Sequence, residues 1–248
     1  MNDEISLIGK IYSKFYNKIC GVPPNLFFWH FQWLAVKELY PELKQILPTL
    51  QGKLLDVGCG DKPYEVFLNL EKIEHIGLDI YLGDRVDIPI IVDEPWPLET
   101  SSFDAVLCTQ VLEHTANLEN LILEITRVLK VGGIAIISVP FIYNQHGVPD
   151  DYRRFSIYGI KNLMEKGYEI ITVKTQGGVG STLGVLILNW LEMQMNLYKI
   201  TRLLKGMLLP AWIILCIFIN TLGWILDYID KTESFYSNTW LVARKRCA

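Results

Sequence analysis

The stretch Lys53-Leu-Leu-Asp-Val-Gly-Cys-Gly-Asp-Lys-Pro-Tyr64 leaves the chain few folds to choose from. Leu54, Leu55 and Val57 form an apolar run bounded by Gly52 and Gly58, the pattern of a strand buried in a parallel sheet. Gly58 and Gly60 bracket Cys59, so the backbone can turn sharply and a ligand can approach the main chain without meeting a Cβ. Asp61 suits a helix N-cap and Pro63 a first helical turn, which predicts a helix near 64–71. Strand, glycine turn and helix start together make the ligand crevice of an open α/β sheet.

A Gly-x-Gly alone is only a tight turn, and the acid that follows raises its meaning. Ile76-Gly77-Leu78-Asp79-Ile80 reads as a second strand ending in Asp79, roughly twenty residues beyond the glycines, where such sheets place a carboxylate on ribose hydroxyls. Dinucleotide folds want a third glycine beside a pyrophosphate, and here that position is Pro63. Asp56 and Asp61 flank the turn instead, and carboxylates repel phosphate. The expected ligand carries a ribose and a positive charge and lacks phosphate.

The chain has 248 residues and a net charge of −4. That length suits one α/β domain with additions, and an acidic balance offers no basic face for nucleic acid. Five scattered cysteines without a Cys-x-x-Cys pair suggest a reducing compartment, with neither disulfides nor a metal site. Asp3, Glu4, Lys10 and Lys14 interrupt any signal-peptide core.

Strands near 74–79, 88–92, 104–109 and 133–139 alternate with helices near 64–71 and 117–130, the βαβ rhythm of a parallel sheet. Asp93 and Gln110 fall at carboxyl ends of strands, where ligands collect, whereas Asp104 opens its strand and is expected to hold structure. Before the first glycine turn, Ile5, Ile8, Ile11, Tyr12, Phe15 and Ile19 predict an amphipathic helix broken by Pro23-Pro24. A second helix is expected over Leu26–Leu39, rich in aromatics and packed on the core or closing over the site, with His30 a candidate in the latter case.

The glycine stretch resembles motif I of the class I S-adenosylmethionine-dependent methyltransferases, of the type-11-like kind. The likeness continues through Ile91-Val92-Asp93-Glu94, Ser102-Phe103-Asp104-Ala105-Val106, Val111-Leu112-Glu113-His114 and Arg127-Val128-Leu129-Lys130-Val131-Gly132-Gly133. It implies a Rossmann-like α/β fold of seven strands. Tyr168–Thr175 and Thr239–Arg244 would be the sixth and seventh, the last running antiparallel between strands five and six. It implies S-adenosyl-L-methionine as cofactor, held by Asp56, Gly58, Cys59 and Gly60 at the methionine part and Asp79 and Ile80 at the ribose. Asp93 and Glu94 would reach the adenine, and Gln110 would lie near the sulfonium. His114, in a pair that many such enzymes carry, either shapes its loop or acts as a base.

Beyond the fifth strand comes His146-Gly-Val-Pro-Asp-Asp-Tyr-Arg-Arg-Phe155, charged and at the ligand edge of the sheet. It is either a solvated turn stapled by an Asp–Arg pair or a substrate loop. The pattern is similar to the His-x-x-Pro-x-Asp-Tyr-x-Arg loop of small methyltransferases associated with bacterial surface-glycan synthesis. On that reading His146 is the first choice of general base for a sugar hydroxyl, oriented by Asp150 or Asp151, while Tyr152, Arg153 and Arg154 bind substrate hydroxyls or an anionic group.

Roughly sixty residues separate the last two strands, far more than a hairpin needs. Leu183–Leu191 is apolar, and Met207–Leu226 is twenty residues without a charge, long enough to cross a bilayer. Because the chain must return to the same sheet, an interfacial or re-entrant arrangement is expected, with packing on the core or a second subunit as the alternative. Lys199, Arg202 and Lys205 would face headgroups and Trp190, Trp212 and Trp224 would anchor the surface. The domains expected are a helical cap at 1–50, a cofactor-binding core at 51–178 with 237–248, and a membrane-associated insertion at 179–236. The function expected is O-methylation of a glycan or lipid-linked sugar at the cytoplasmic face of the membrane, by a possible homodimer that binds no nucleic acid. Methylation of an isoprenoid quinone and a catalytically silent cofactor-binding scaffold are the alternatives.

Overall fold

The computed structural model describes residues 7–247. Its elements are α1 (Leu7–Cys20), α2 (Leu39–Ile46), β1 (Gly52–Val57), β2 (Ile73–Asp79), β3 (Ile88–Pro89), β4 (Phe103–Thr109), α3 (Leu118–Val128) and β5 (Leu129–Pro140). There follow α4 (Ile157–Met164), β6 (Tyr168–Gln176), α5 (Val179–Leu197), α6 (Lys199–Met207), α7 (Leu209–Ile229) and β7 (Asn238–Lys245). Contacts divide the chain into a sheet unit, Glu38–Gln176 with Tyr236–Ala248, and a helical unit formed by the residues up to Lys37 with Gly177–Phe235. The N-terminal boundary thus falls at residue 37 rather than 50, because α2 packs with the sheet unit and the preceding residues with the insertion.

In the sheet unit the strand order is β3-β2-β1-β4-β5-β7-β6. Strands β1 to β5 pair in parallel, and β7 runs antiparallel between β5 and β6, as the resemblance implies. Alternation along each strand feeds two cores. Leu55, Val57, Val106, Ile137 and Leu241 pack with Ile125 of α3 and Ile160 of α4, while Leu54, Leu107, Ile136 and Trp240 pack with Leu39 and Leu43 of α2. Asp104 holds structure, accepting from the Lys53 N–H at 2.9 Å and from Lys130 Nζ at 2.7 Å. Glu124 of α3 accepts from Arg127 and from the Trp96 N–H, bracing the loop before β4.

Three expected elements differ. The helix near 64–71 is only a 3-10 turn, Glu65–Phe67. Lys62 takes φ 52° and its ammonium turns inward to the His75 carbonyl and Asp87, which ties the chain to the sheet before a helix can start. Strand β3 stops at Pro89, which has no N–H to donate, and Ile91 and Val92 are exposed. The aromatic segment after α1 is no helix either. It forms a short hairpin, Gly21–Val22 with Asn25–Leu26, and one helical turn, Trp33–Val36.

Within the helical unit, side chains replace the missing helix hydrogen bonds of that segment. Asn220 Nδ2 donates to the carbonyls of Phe28 and His30, and Trp29 Nε1 donates to that of Ile19. His30 is buried against Tyr16 and Phe31, and burial lowers its pKa to about 4, so it is a neutral core histidine. Phe15 is exposed and Tyr16 buried instead; Ile5 lies outside the described residues, as do the side chains of Ile8 and Ile11.

Helices α5 and α7 meet through small residues. A Cβ on Gly180 would lie 2.1 Å from the Gly223 carbonyl oxygen, and one on Gly184 would lie 2.5 Å from Leu34 Cδ1. Gly180 and Gly184 are four apart and so share a helix face, the small-x-x-x-small spacing of close helix pairs in lipid. Trp212 is buried and Lys205 pairs with Glu192, so neither is presented as a surface anchor, whereas Trp190 and Trp224 are exposed. The side chains of Lys199 and Arg202 lie outside the described residues.

Gly180→Leu is expected to cost about 1–3 kcal/mol by overpacking, read as a lowered unfolding midpoint of the full chain in detergent. Arg127 holds the Glu124 carboxyl below its ordinary pKa, so its contribution is present above about pH 4.3 and is lost as pH falls through the depressed folded value. The stability difference between the native protein and Glu124→Gln should therefore be flat at neutral pH and shrink in acid, as denaturation at a series of pH values would show.

Candidate active site

The glycine turn after β1 is held by its neighbour strand. Gly58 N–H donates to the Leu78 carbonyl at 2.8 Å, and Gly60 N–H donates to Asp79 Oδ2 at 2.9 Å. The other oxygen of Asp79 accepts from the Tyr81 N–H at 3.0 Å. Asp79 is thereby fixed at the carboxyl end of β2, buried but on the wall of a cavity of about 430 Å³. Gly58 has φ 69°, and a Cβ there would stand 2.4 Å from Val111 Cγ2, so only glycine lets the turn lie under the loop after β4.

The cavity runs along the carboxyl ends of the strands, where an open α/β sheet collects its ligands. Gly58, Asp79, Ile80, Asp93, Glu94, Gln110, His114, Asp150 and Tyr152 of the expected set line it. Leu78, Ile90, Val92, Trp96, Val111 and Leu121 give it apolar walls, and Asn117 and Asn120 add polar ones. Among the described residues lining it there is no lysine or arginine. Asp93 and Gln110 hold positive φ, 64° and 56°, strained conformations for side-chain-bearing residues that cluster at ligand sites. Gln110 Nε2 is anchored by Ser138 Oγ at 2.8 Å and Asn238 Oδ1 at 3.0 Å, so β7 supplies a residue to the site that sequence reasoning did not single out.

Other expected residues stand behind the cavity. Asp56 is buried on the opposite side of β1 from Val57, its Oδ2 3.1 Å from His75 Nε2; burial pushes its carboxyl pKa up while His75 pulls it down. Cys59 is buried, and burial together with Asp56 and Asp79 pushes its thiol up to about 12, which excludes a nucleophilic thiolate at neutral pH. Gly60 contributes through its N–H to Asp79. Lys62, which sequence reasoning passed over, buries its ammonium to pin this turn.

The loop after β5 is stapled by ion pairs and contributes Gly147, Asp150 and Tyr152 to the cavity lining. Arg154 clamps Asp151 and the Asn144 carbonyl, and Arg153 donates to the carbonyls of Thr115 and Ala116. Neither arginine lines the cavity, so the substrate contacts expected of them give way to bracing of two loops. Arg154 holds the Asp151 carboxyl well below its ordinary range, and Asp151 accepts from the His146 N–H at 2.9 Å. Tyr152 Oη donates to Asp150 at 2.7 Å, and this contact raises the phenol pKa.

His146 reaches the cavity through His114. Their Nε2 atoms are 3.1 Å apart, His114 lines the cavity, and Glu113 lies fully buried behind both. The Glu113 carboxylate beside His146 Nε2, at 3.7 Å, is the main influence raising the imidazole pKa; burial opposes it, and the Asn144 carbonyl and the Asp151 charge add to it. The histidines expected as alternative bases are thus one contiguous group.

Residues 55–137 match the model of the family described as methyltransferase domain. An uncharacterised protein of Methanocaldococcus jannaschii is 32% identical over 133 residues, 50% of this chain and 51% of that protein. A ubiquinone biosynthesis O-methyltransferase of Rickettsia prowazekii is 30% identical over 99 residues, 35% of this chain and 39% of that one. The matched part thus spans about half or less of these curated relatives. Among solved structures, the cyclase SpnF aligns with a TM-score of 0.54 at 21% identity, over 84% of this chain and 82% of that one. Phosphoethanolamine N-methyltransferase 2 of Haemonchus contortus, solved with phosphomonomethylethanolamine and S-adenosylhomocysteine, aligns at 0.52 and 16%, over 95% and 60%. At these identities the structural likeness is one of fold.

Gly58→Ala should destabilise the protein by about 1–3 kcal/mol, from positive φ and the Val111 clash together. Val111→Ala in the same chain should return part of that loss, and a denaturant series on the single and double variants measures it.

Proposed function

We propose that the sheet unit binds S-adenosylmethionine and transfers its methyl group to an oxygen of a glycan or lipid-linked sugar. The observation that carries the cofactor half is the cavity wall, which holds the carboxylates of Asp79, Asp93 and Glu94 and no lysine or arginine among the described lining residues. That wall suits a ribose and a sulfonium cation and disfavours phosphates. The methyltransferase domain match and the neighbour crystallised with S-adenosylhomocysteine agree with it. Asp79 would take the ribose hydroxyls with Ile80 beside them, and Asp93 and Glu94 the adenine. Gly58 and Gln110 would lie near the methionine part.

The cofactor is already an activated methyl donor, so the protein has mainly to align acceptor, methyl carbon and sulfur and to exclude water. An oxygen acceptor also has to lose a proton, and the His114–His146 pair is the group placed to assist. The His146–Arg154 loop supports a sugar acceptor by its resemblance to glycan-associated methyltransferases. A quinone or other lipid acceptor is the second reading, favoured by the apolar cavity walls and by the name of the Rickettsia relative.

We place the helical unit at a lipid surface. Helix α7 has 21 residues; its most apolar stretch of 18 has mean hydropathy 2.0, and only 28% of that stretch is buried. Ile214, Phe218 and Ile229 on α7 and Leu183, Ile187 and Trp190 on α5 are exposed, and the Gly180–Gly223 approach is of the kind that packs helices in lipid.

Calorimetric titration of the detergent-solubilised chain should show binding of S-adenosylmethionine and none of NADH, with affinity at least tenfold weaker in Asp79→Ala. Unchanged affinity in that variant would reject the ribose assignment. No binding at all by folded protein would reject both the methyl-transfer reading and the cofactor-binding scaffold. On a density gradient, the protein should float with vesicles of anionic phospholipid, and recovery in the lipid-free fraction would remove the helical unit from the membrane.

A further inference from the structure

The Glu113 carboxylate is fully buried, and among the described residues neither of its oxygens has a hydrogen-bond partner. A bare buried carboxylate is costly and calls for a compensating cation. The two imidazoles before it are turned in a particular way. His114 Nδ1 meets the Asp150 carbonyl, and His146 Nδ1 meets the Asn144 carbonyl at 3.3 Å with the Asp151 carboxylate at 3.6 Å. Carbonyl and carboxylate oxygens only accept, so each Nδ1 carries the proton and each Nε2 presents a lone pair. Those two Nε2 atoms face each other at 3.1 Å, with Glu113 Oε1 at 3.8 Å from one and 3.7 Å from the other.

Three electron-rich atoms converging in this way repel one another unless a positive charge sits among them. We propose that Glu113, His114 and His146 hold a divalent transition-metal ion, with two imidazole nitrogens and one carboxylate oxygen as its ligands. A point equidistant from the three atoms lies about 2.1 Å from each, the bond length of zinc to nitrogen and oxygen ligands, so no side chain has to move to receive it. The three atoms all lie within 4.8 Å of one another. Hydrogen bonds from the second ring nitrogen to a carbonyl or carboxylate are the usual support of a metal-bound histidine, and both histidines have them. Gly147, at φ 63°, completes the seat, since a Cβ there would stand 2.7 Å from His114 Cε1.

Three protein ligands leave a coordination position free, as in catalytic rather than structural zinc sites. His114 also lines the cavity, so a bound ion would stand at its edge and would assist an acceptor's loss of its proton by lowering that group's pKa, in place of a free imidazole base. This role, unlike the binding itself, rests on the methyl-transfer reading.

The test uses the full chain in detergent, stripped with a chelator and titrated with cobalt(II) and zinc(II), in a Cys247→Ser background because Cys247 is an exposed rival ligand. We expect one ion per chain, a cobalt ligand-field spectrum without thiolate bands, and affinity weakened at least tenfold in His146→Ala and in Glu113→Gln. His146 is partly exposed, so its variant keeps the test valid if loss of the buried Glu113 charge disturbs folding. No uptake by the stripped protein means that a shared proton occupies the group, and it overturns the proposal; so does uptake that both variants leave unchanged. S-adenosylmethionine is titrated into the same samples. Metal binding without cofactor binding overturns the methyl-transfer reading and upholds the site, whereas cofactor binding without metal overturns the site alone.

Discussion

Everything at the ligand edge of the sheet depends on the bond from the Gly60 N–H to Asp79. It ties the turn after β1 to the end of β2, so two adjacent strands deliver their functional ends as one rigid unit. The turn can lie that close only because Gly58 accepts a left-handed backbone beneath Val111. Lys62, drawn inward to Asp87 and the His75 carbonyl, locks the same turn from below. The cost is the helix that would ordinarily begin there, and the chain makes a single 3-10 turn instead.

Much of the architecture was legible because it is local or periodic. The apolar run before Gly58, the acid at Asp79 and the alternation of strands and helices each follow from short-range rules. The slot of β7 between β5 and β6 came from resemblance rather than from periodicity, and the structure bears it out. What could not be read depends on partners distant in sequence. The aromatic stretch from Phe27 to Trp33 looks helical until Asn220 supplies the Phe28 and His30 carbonyls with donors. Arg153 and Arg154 look like anion binders until the carbonyls of Thr115, Ala116 and Asn144 claim their guanidinium groups.

The candidate site was legible in parts and not in assembly. Gly58, Asp79, Asp93 and Gln110 were singled out one by one and do share a cavity, whereas Asp56 was singled out and lies behind it, engaged by His75. His146 is the first choice of base from the sequence, and His114 either shapes its loop or acts as a base; the two are 32 residues apart in the chain. Folding makes them neighbours, because Gly147 has no side chain to keep the loop after β5 off the His114 ring. In the sequence Glu113 stands only as part of a family motif, and its lack of a donor among the described residues is a property of the packed protein alone.

The position of β7 also fixes an order of events. Among the described residues strand β6 pairs only with β7, and β7 follows after roughly sixty residues of helical excursion, a long separation for a sheet contact. During synthesis β6 therefore waits without a ladder partner while α5, α6 and α7 emerge. The sheet closes when β7 arrives, and Gln176 and Asn238 then meet at the two ends of the excursion. Since Asn238 also anchors Gln110, the cavity wall is completed last, and a nascent chain acquires its ligand site only after its helical unit has been made.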